Sequence, residues 1–281
     1  MAQPRTLSII GCGKVGQTLG RLWTEHKAIT IQDILNKSAA STARAVTFIG
    51  AGRAARDYAD LIPADIFLIA APDDQIAACC VALAHAGCLS AGSVVFHCSG
   101  ALPSSILQAA SERGASVASI HPIRSFAAPE KVAMDFAGTY CGAEGEQRAL
   151  DMLTPLFTAI GAQLVTIKIE DKILYHAAAV FASNYLVTLL DTAVQTYGQA
   201  GIAPDVALRM MASLVRETTD NVLRMGPQQA LTGPIARDDV ATVLRQYRAV
   251  TKWNRPYGAL YKQLGKLTGH LARRRKKSDR E

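Results

Sequence analysis

The chain reads as an α/β protein, a doubly wound parallel sheet joined to a second, all-helical domain. Three observations predict this. Short apolar runs alternate with helical stretches as far as residue 168, and beyond it the strand pattern stops. At the start of the chain, Thr6-Leu7-Ser8-Ile9-Ile10 runs directly into Gly11-Cys12-Gly13-Lys14-Val15-Gly16, and a helical stretch follows.

Strands are predicted at 6–10, 28–35, 46–49, 64–71, 93–97, 115–120, 139–141 and 163–167. The run at 64–71 (ADIFLIAA) is apolar throughout, as suits a parallel strand buried on both faces. Helices are predicted between them at 17–25, 41–45, 76–86, 104–113 and 146–160. Past Lys168 one long, mostly apolar helix is expected at 171–200, then helices at 204–225, 234–253 and 256–274. Pro204 and Pro234 stand where first-turn prolines belong, and Gly201, Gly226 and Gly233 punctuate the breaks. The expected domains are therefore 1–168 and 169–272, with a basic, disordered tail at 273–281.

Composition narrows the class. Apolar residues make up 49% of 281, enough for a substantial core. No stretch approaches 18 uninterrupted apolar residues, so no membrane span is expected. Met1 to Arg5 runs straight into the first strand, which leaves no room for a signal peptide. The six cysteines (Cys12, Cys79, Cys80, Cys88, Cys98, Cys141) form no C-x-x-C pair and read as reduced thiols of a cytoplasmic protein. No ligand cluster at metal spacing is present, so no metal requirement is expected. Residues 273–281 supply +4 of the net +7, leaving a mildly basic body suited to an anionic cofactor; no nucleic-acid partner is expected.

Strand, G-x-G-x-x-G, helix is the dinucleotide-binding fingerprint in its proper context. Gly11 permits the tight turn, Gly13 lets a pyrophosphate approach, and Gly16 lets helix pack on strand. Lys14 and Val15 open the helix whose free N–H groups face the phosphates. Twenty residues past Gly16 stand Asn36, Lys37 and Ser38, a trio that suits a 2′-phosphate and so NADP(H). Asp33 lies three residues earlier, and an earlier strand end would give it the acidic role and favour NAD.

Candidate site residues sit at the C-terminal ends of strands, where ligands bind in open α/β sheets. Ala71 and Pro72 end the fourth strand and Ser99 follows the fifth, placing the nicotinamide near them. His97 and His121 end the fifth and sixth strands, where either can donate to a substrate oxygen. The long apolar helix carries a polar stripe: Lys172 and His176 fall ~40° apart, Ser183 returns to ~20° from Lys172, and Asn184 flanks it at ~80° from His176. Lys172 is expected to face a cleft as proton donor or oxyanion partner, with His176 and Asn184 orienting the substrate.

Together with His97-Cys98-Ser99-Gly100-Ala101, Ser119-Ile120-His121-Pro122-Ile123-Arg124-Ser125-Phe126, the Tyr175 to Tyr185 segment and Leu231-Thr232-Gly233-Pro234-Ile235-Ala236-Arg237, these features resemble the Rossmann-like proteins with a DUF2520 C-terminal domain. The resemblance covers nearly the whole chain before the basic tail. That group is similar in architecture to 6-phosphogluconate dehydrogenase-like enzymes, among them β-hydroxyacid dehydrogenases, ketopantoate reductases and pyrroline-5-carboxylate reductases. It implies an N-terminal NADP(H) domain and a helical domain that closes the site and dimerises. In β-hydroxyacid dehydrogenases a helix-borne lysine is followed four residues later by asparagine; Lys172 matches the lysine, but His176 replaces the asparagine. Asp238-Asp239 stands where the family reads Gly-Asp after Ala-Arg.

The expectation is thus a cytoplasmic, homodimeric, NADPH-dependent reductase of a small carbonyl acid, with ketopantoate as the first substrate to test. An imine or pyrroline-carboxylate reductase is the alternative. A non-catalytic NADPH-binding regulator whose basic tail binds a partner is the reading from a different class.

Overall fold

The computed structural model describes residues 5–278. Two compact units emerge, Met1–Phe181 and Ala182–Glu281, so the division falls a helix later than the expected boundary near residue 169.

The first unit is built on one eight-stranded sheet: β1 (Thr6–Ile10), β2 (Thr30–Leu35), β3 (Arg53–Ala54), β4 (Ile66–Ile69), β5 (Val94–His97), β6 (Ser116–Pro122), β7 (Tyr140–Gly145) and β8 (Gln163–Thr166). The spatial order is β3-β2-β1-β4-β5-β6-β7-β8. All pairings are parallel except β6 with β7, the one departure from the expected parallel sheet. The order reverses between β1 and β4, and the ends of those strands flank the crevice where such sheets take ligands.

The helices of this unit are α1 (Lys14–Glu25), α2 (Ala39–Ile49), α3 (Asp73–His85), α4 (Gln108–Ser111), α5 (Pro129–Met134), α6 (Gln147–Ala159) and α7 (Lys172–Ala182). They cover both faces of the sheet. On one side Leu19, Trp23 and Phe157 pack with Phe96 and Ile9; on the other Ile76, Leu83 and Leu107 pack with Phe67 and Val95.

The run 46–49, expected as a strand, is the last turn of α2. Ser38 caps that helix by accepting from the Ser41 amide, and Gly50 ends it with φ +76°. Both ends are thus specified, and four β-prone residues do not outweigh them. The strand of this βα unit is instead the two-residue edge β3.

The second unit is helical: α8 (Asn184–Gln199), α9 (Pro204–Ala230), α10 (Val240–Trp253) and α11 (Arg255–Ser278). Pro204 does open α9, and Gly226 breaks its helical geometry (φ +79°, ψ +159°). Pro234 opens no helix; α10 starts at Val240, capped by Asp239, whose carboxylate accepts from the Thr242 amide. The stretch Ile169–Gln199 holds an 18-residue window of mean hydropathy 1.5 and is by length and composition long and apolar enough to cross a membrane. It is two helices of 11 and 16 residues, separated by Ser183 at φ −123° and ψ −70°. Each is shorter than the roughly 20 residues a span requires.

The basic segment from Arg273 is not a loose tail. α11 continues through it to Ser278, Arg275 Nη1 donates to the Leu231 carbonyl at 3.1 Å, and Lys276 pairs with Asp238. Residues 279–281 of that segment, and residues 1–4 of the leader reading, lie outside the described residues.

Candidate functional site

The glycine loop takes the geometry its spacing implies. Gly11 has φ +71°, donates its N–H to the Leu35 carbonyl at 2.8 Å, and packs so closely that a Cβ would lie 2.7 Å from the Ala71 backbone. A Cβ on Gly16 would press Ala70 and Ile9 at 3.1 and 3.2 Å, the contact that seats α1 on the sheet. Gly13 differs: a Cβ there would meet only the Gly11 carbonyl oxygen, at 3.9 Å. Its open side faces outward at the start of α1, where no side chain caps the helix and no acidic residue occupies the first turn. The first-turn N–H groups, including those of Val15 and Gly16, have no partner within the helix, so an anion is the natural complement. Lys14 is exposed and donates its ammonium to the Ala127 carbonyl at 2.9 Å. Burial pushes the Cys12 thiol up to about 12, so it packs within this loop as a thiol.

At the end of β2 the two alternatives separate. Asp33 is fully buried, and its carboxylate accepts from Arg53 Nε at 2.8 Å and the Ile62 amide at 3.0 Å. The first residue past the strand is Asn36, whose amide donates to the Ser41 carbonyl at 3.1 Å. Lys37 is exposed and makes no ion pair among the described residues, and Ser38 is the cap of α2. Pro72 caps α3 and is exposed, while Ala71 is half-buried against Gly11.

Two rows of polar groups cross the sheet beside this crevice. His97, Ser119 and Glu144 stand opposite one another on β5, β6 and β7. Two residues further along β6, His121 stands opposite Gly142. The strand repeat of two residues spans about 6.6 Å and one helical turn about 5.4 Å. α7 can therefore set Lys172 over the first row and Tyr175 and His176 over the second.

In the first row the Lys172 ammonium donates to Ser119 Oγ at 2.5 Å and to Glu144 Oε1 at 3.1 Å. Glu144 also accepts from the Ser104 amide at 2.8 Å and from Ser104 Oγ at 2.7 Å. Lys172 is 1% exposed, so the expected cleft-facing lysine is instead the cation of a buried ion pair. Burial draws its pKa down, and Glu144 opposes that shift. His97 is fully buried and engaged through both nitrogens. Nδ1 accepts from the Ser99 amide at 3.1 Å, so Nε2 carries the proton and donates to the Pro103 carbonyl at 3.2 Å. Burial holds its pKa at about 4. Neither His97 nor Lys172 keeps an open polar group for a substrate. Ser99 is similarly engaged: its hydroxyl donates to Asp73 at 2.9 Å and accepts from the Ala101 and Leu102 amides.

The second row is the more open chemistry. His121 Nδ1 and the Tyr175 hydroxyl are 3.0 Å apart. The phenol is held protonated, so its hydroxyl can donate to Nδ1, the arrangement that leaves the His121 proton on Nε2. Burial, seconded by His176 and Lys172, lowers the His121 pKa to about 4. Burial raises that of Tyr175 to about 12. The result is a neutral imidazole with a fixed tautomer, able to donate but not to carry charge at neutral pH. His176 stacks edge-on to it, 5.8 Å between ring centres, with Nδ1 buried and unpartnered. Both rings press on Gly100, where a Cβ would lie 2.5 Å from His176 Nδ1 and 2.9 Å from His121 Nε2.

The structure thus joins His121 and His176 and adds Tyr175, Gly100, Ser119 and Glu144, which the sequence reading passed over. Glu144 carried a signal, since a carboxylate inside a buried strand requires a cation. Asn184 falls in the second unit, not in the one that carries these residues. The stripe reading assumed one continuous helix, but the break at Ser183 resets the phase and Asn184 is an exposed residue of the second unit.

Two family models match the chain: a Rossmann-like domain over residues 1–122 and a domain of unknown function, DUF2520, over residues 139–268. A comparison with curated proteins gives no match. Among solved structures the chain is similar to protein TM1727 from Thermotoga maritima, with 26% identity, a TM-score of 0.76 and coverage of 98% of this chain and 100% of that one. A reductive aminase from Aspergillus terreus, solved with NADPH and ethyl levulinate, shares 17% identity and a TM-score of 0.67, covering 97% and 95%. A pyrroline-5-carboxylate reductase from Coxiella burnetii shares 12% identity and a TM-score of 0.61, covering 97% and 99%. The glycine loop and strands β1 to β6 lie within the first matched segment, and β7, β8 and the buried ion pair within the second: the chain is a Rossmann-like domain joined to a DUF2520 domain.

Proposed function

We propose that this chain is an NADPH-dependent reductase of a small oxo acid resembling 2-dehydropantoate. The observation that carries the reading is the uncapped start of α1 at the point where strand order reverses, with the Gly13 face open. The amides of Lys14, Val15 and Gly16 would hold the pyrophosphate there. Asp33 is spent on Arg53, whereas Lys37 is exposed beside Asn36 and Ser38, which favours a 2′-phosphate over a bare ribose. NADPH bound in this crevice supplies the hydride.

The chain's own residues then divide by access. His121 donates a hydrogen bond to the substrate carbonyl oxygen through Nε2–H, a neutral imidazole that polarises the carbonyl as hydride adds to its carbon, and the resulting alkoxide takes its proton from solvent. Tyr175 fixes its tautomer, and His176 walls the same site beside Gly100. Lys172, Glu144, Ser119 and His97 are positioning residues that hold α7 and the loop after β5 in place.

An imine or pyrroline-carboxylate reductase is the second reading, favoured by the likeness to the reductive aminase and the pyrroline-5-carboxylate reductase. A cytoplasmic homodimer completes the proposal. Within the second unit Val187, Leu208, Leu214 and Leu223 are 67%, 56%, 59% and 79% exposed, and exposed apolar side chains in this number favour a partner. Sedimentation at low and high protein concentration tests the dimer.

Titration with NADPH and NADH, followed by nicotinamide fluorescence, tests the cofactor. Addition of 2-dehydropantoate and then a cyclic-imine panel tests the substrate. NADPH binding with no oxidation by any substrate would leave the regulator reading in its place, and no binding of either nucleotide would overturn the proposal.

A further inference from the structure

Two features of the sequence have no part in the site above: the Leu231 to Arg237 motif and the cluster of cations from Arg273 onward. In the second unit they meet. Arg275 donates to the Leu231 carbonyl, and Lys276 pairs with Asp238 just past the motif. Between them lies a cavity of about 410 Å³ lined by Thr232, Gly233, Arg237, Arg275 and Lys276, with Leu231, Ala236 and Ala272 as its apolar wall.

Of the three cations that line this cavity, Lys276 is already paired with Asp238. No carboxylate is among its lining residues. Asp238 is turned to Lys276, and Asp239, the other acid in electrostatic reach of Arg237, spends an oxygen on the Thr242 amide. The Arg237 guanidinium makes no hydrogen bond or ion pair among the described residues. A planar fork of donors beside a hydroxyl and two further cations matches the shape and charge of a tetrahedral oxyanion.

We propose that the 231–237 loop and the end of α11 form a binding site for a phosphate group. The site takes its ligand through the Arg237 guanidinium and the Thr232 hydroxyl, beside Arg275 and the Asp238-paired Lys276. It is separate from the glycine loop and does not depend on the dinucleotide reading. Free phosphate and phosphate carried on an organic molecule share this chemistry.

Calorimetric titration of the full chain with inorganic phosphate and with glycerol 3-phosphate tests the site and separates the two sources. The expected result is saturable binding to wild type that weakens at least tenfold in Arg237→Gln. Arg216→Gln, at an exposed arginine elsewhere in the unit, should leave it unchanged. Arg237 is exposed and its side chain holds no structural bond, so circular dichroism of the variant should match wild type. Thr232→Val is the second variant, with a smaller loss in the same direction. Gly13→Val, titrated in parallel, removes any contribution from the start of α1. Absence of saturable binding, or equal binding by wild type and Arg237→Gln, overturns the proposal. So does a short single-stranded oligonucleotide that binds where neither small phosphate does, since that would make the surface a polyanion face.

Discussion

Lys172 and Glu144 form an ion pair 3.1 Å long in which the two side chains are only 1% and 3% exposed. Such a pair is not evidence of net stabilisation, because desolvating both charges offsets much of their attraction. Breaking it from one side is another matter. Lys172→Met strands a carboxylate that Ser104 alone cannot neutralise, and Glu144→Gln strands an ammonium. Each should cost about 3–5 kcal/mol in urea unfolding. The double variant should cost well under the sum, with a coupling of at least about 1 kcal/mol. Additive losses would show that the two charges do not depend on each other.

Two glycines of the loop, Gly13 and Gly16, should respond differently to substitution. Gly13→Ala adds a methyl where only the Gly11 oxygen stands within 4 Å. Its unfolding midpoint should stay near wild type while nucleotide affinity falls at least tenfold, because the methyl occupies the space a pyrophosphate needs. Gly16→Val drives side-chain carbons into Ala70 and Ile9 and should lower stability by about 1–3 kcal/mol. Equal loss of stability in both variants would contradict the open face of Gly13.

The sheet and its glycine loop were legible because each rests on local chemistry: apolar runs at strand spacing, and a fingerprint whose residues act within a few positions of one another. The α2 error shows the limit of that logic, since Val46 to Ile49 favour a strand locally while caps at Ser38 and Gly50 decide for helix. The site was half legible. His121 and His176 stood out as polar residues at a strand end and on an apolar helix. Tyr175, Ser119 and Glu144 acquire meaning only from register, when β6 brings Ser119 opposite Glu144 and His121 opposite Gly142. Lys172 was identified as important, but periodicity gives a residue's face and not what covers it. The break at Ser183 carries neither proline nor glycine, so nothing local announced that Asn184 leaves the stripe.

Lys37 should set the choice between the two nicotinamide cofactors. It is exposed just past β2 and makes no ion pair among the described residues. Lys37→Ala should weaken NADPH by roughly tenfold, the worth of one charge-assisted contact of about 1.4 kcal/mol, and leave NADH unchanged. Parallel fluorescence titrations read both constants. An equal loss for both nucleotides would place Lys37 outside the 2′-phosphate site.

Stability should fall on the acid side because of His97. Unfolded, this imidazole takes a proton near its ordinary value of 6.5; folded, burial holds it neutral down to about 4. The unfolded chain therefore binds the extra proton between those values. The contribution is complete above pH 6.5, is lost as pH falls toward 4, and does not change further below that. At about 1.4 kcal/mol per unit, the window is worth roughly 3 kcal/mol. His121 acts in the same direction, from 6.5 to about 4. Urea midpoints at pH 7.5, 5.5 and 4.5 should show this slope, and His97→Gln should flatten it by about one proton. An unchanged slope would mean that His97 is protonated in the fold.

Tyr175→Phe isolates the role given to His121. The phenol is held protonated, its pKa raised to about 12, and its oxygen lies 3.0 Å from His121 Nδ1. Removing the hydroxyl leaves Nδ1 without its donor, so the imidazole is free to place its proton on either nitrogen. Turnover with an accepted substrate should fall by about 10–100-fold, less than the ~10²–10⁴-fold lost when a positioned acid or base is removed outright, because the variant keeps the imidazole. NADPH affinity should remain within twofold of wild type, because the glycine loop is untouched. Nitrogen-15 spectra supply the readout that separates positioning from bulk: wild-type His121 should show a protonated Nε2 alone, and the variant a mixture of tautomers. A pure Nε2–H signal in both proteins would show that Tyr175 does not set the tautomer, and the fall in turnover would then need another cause.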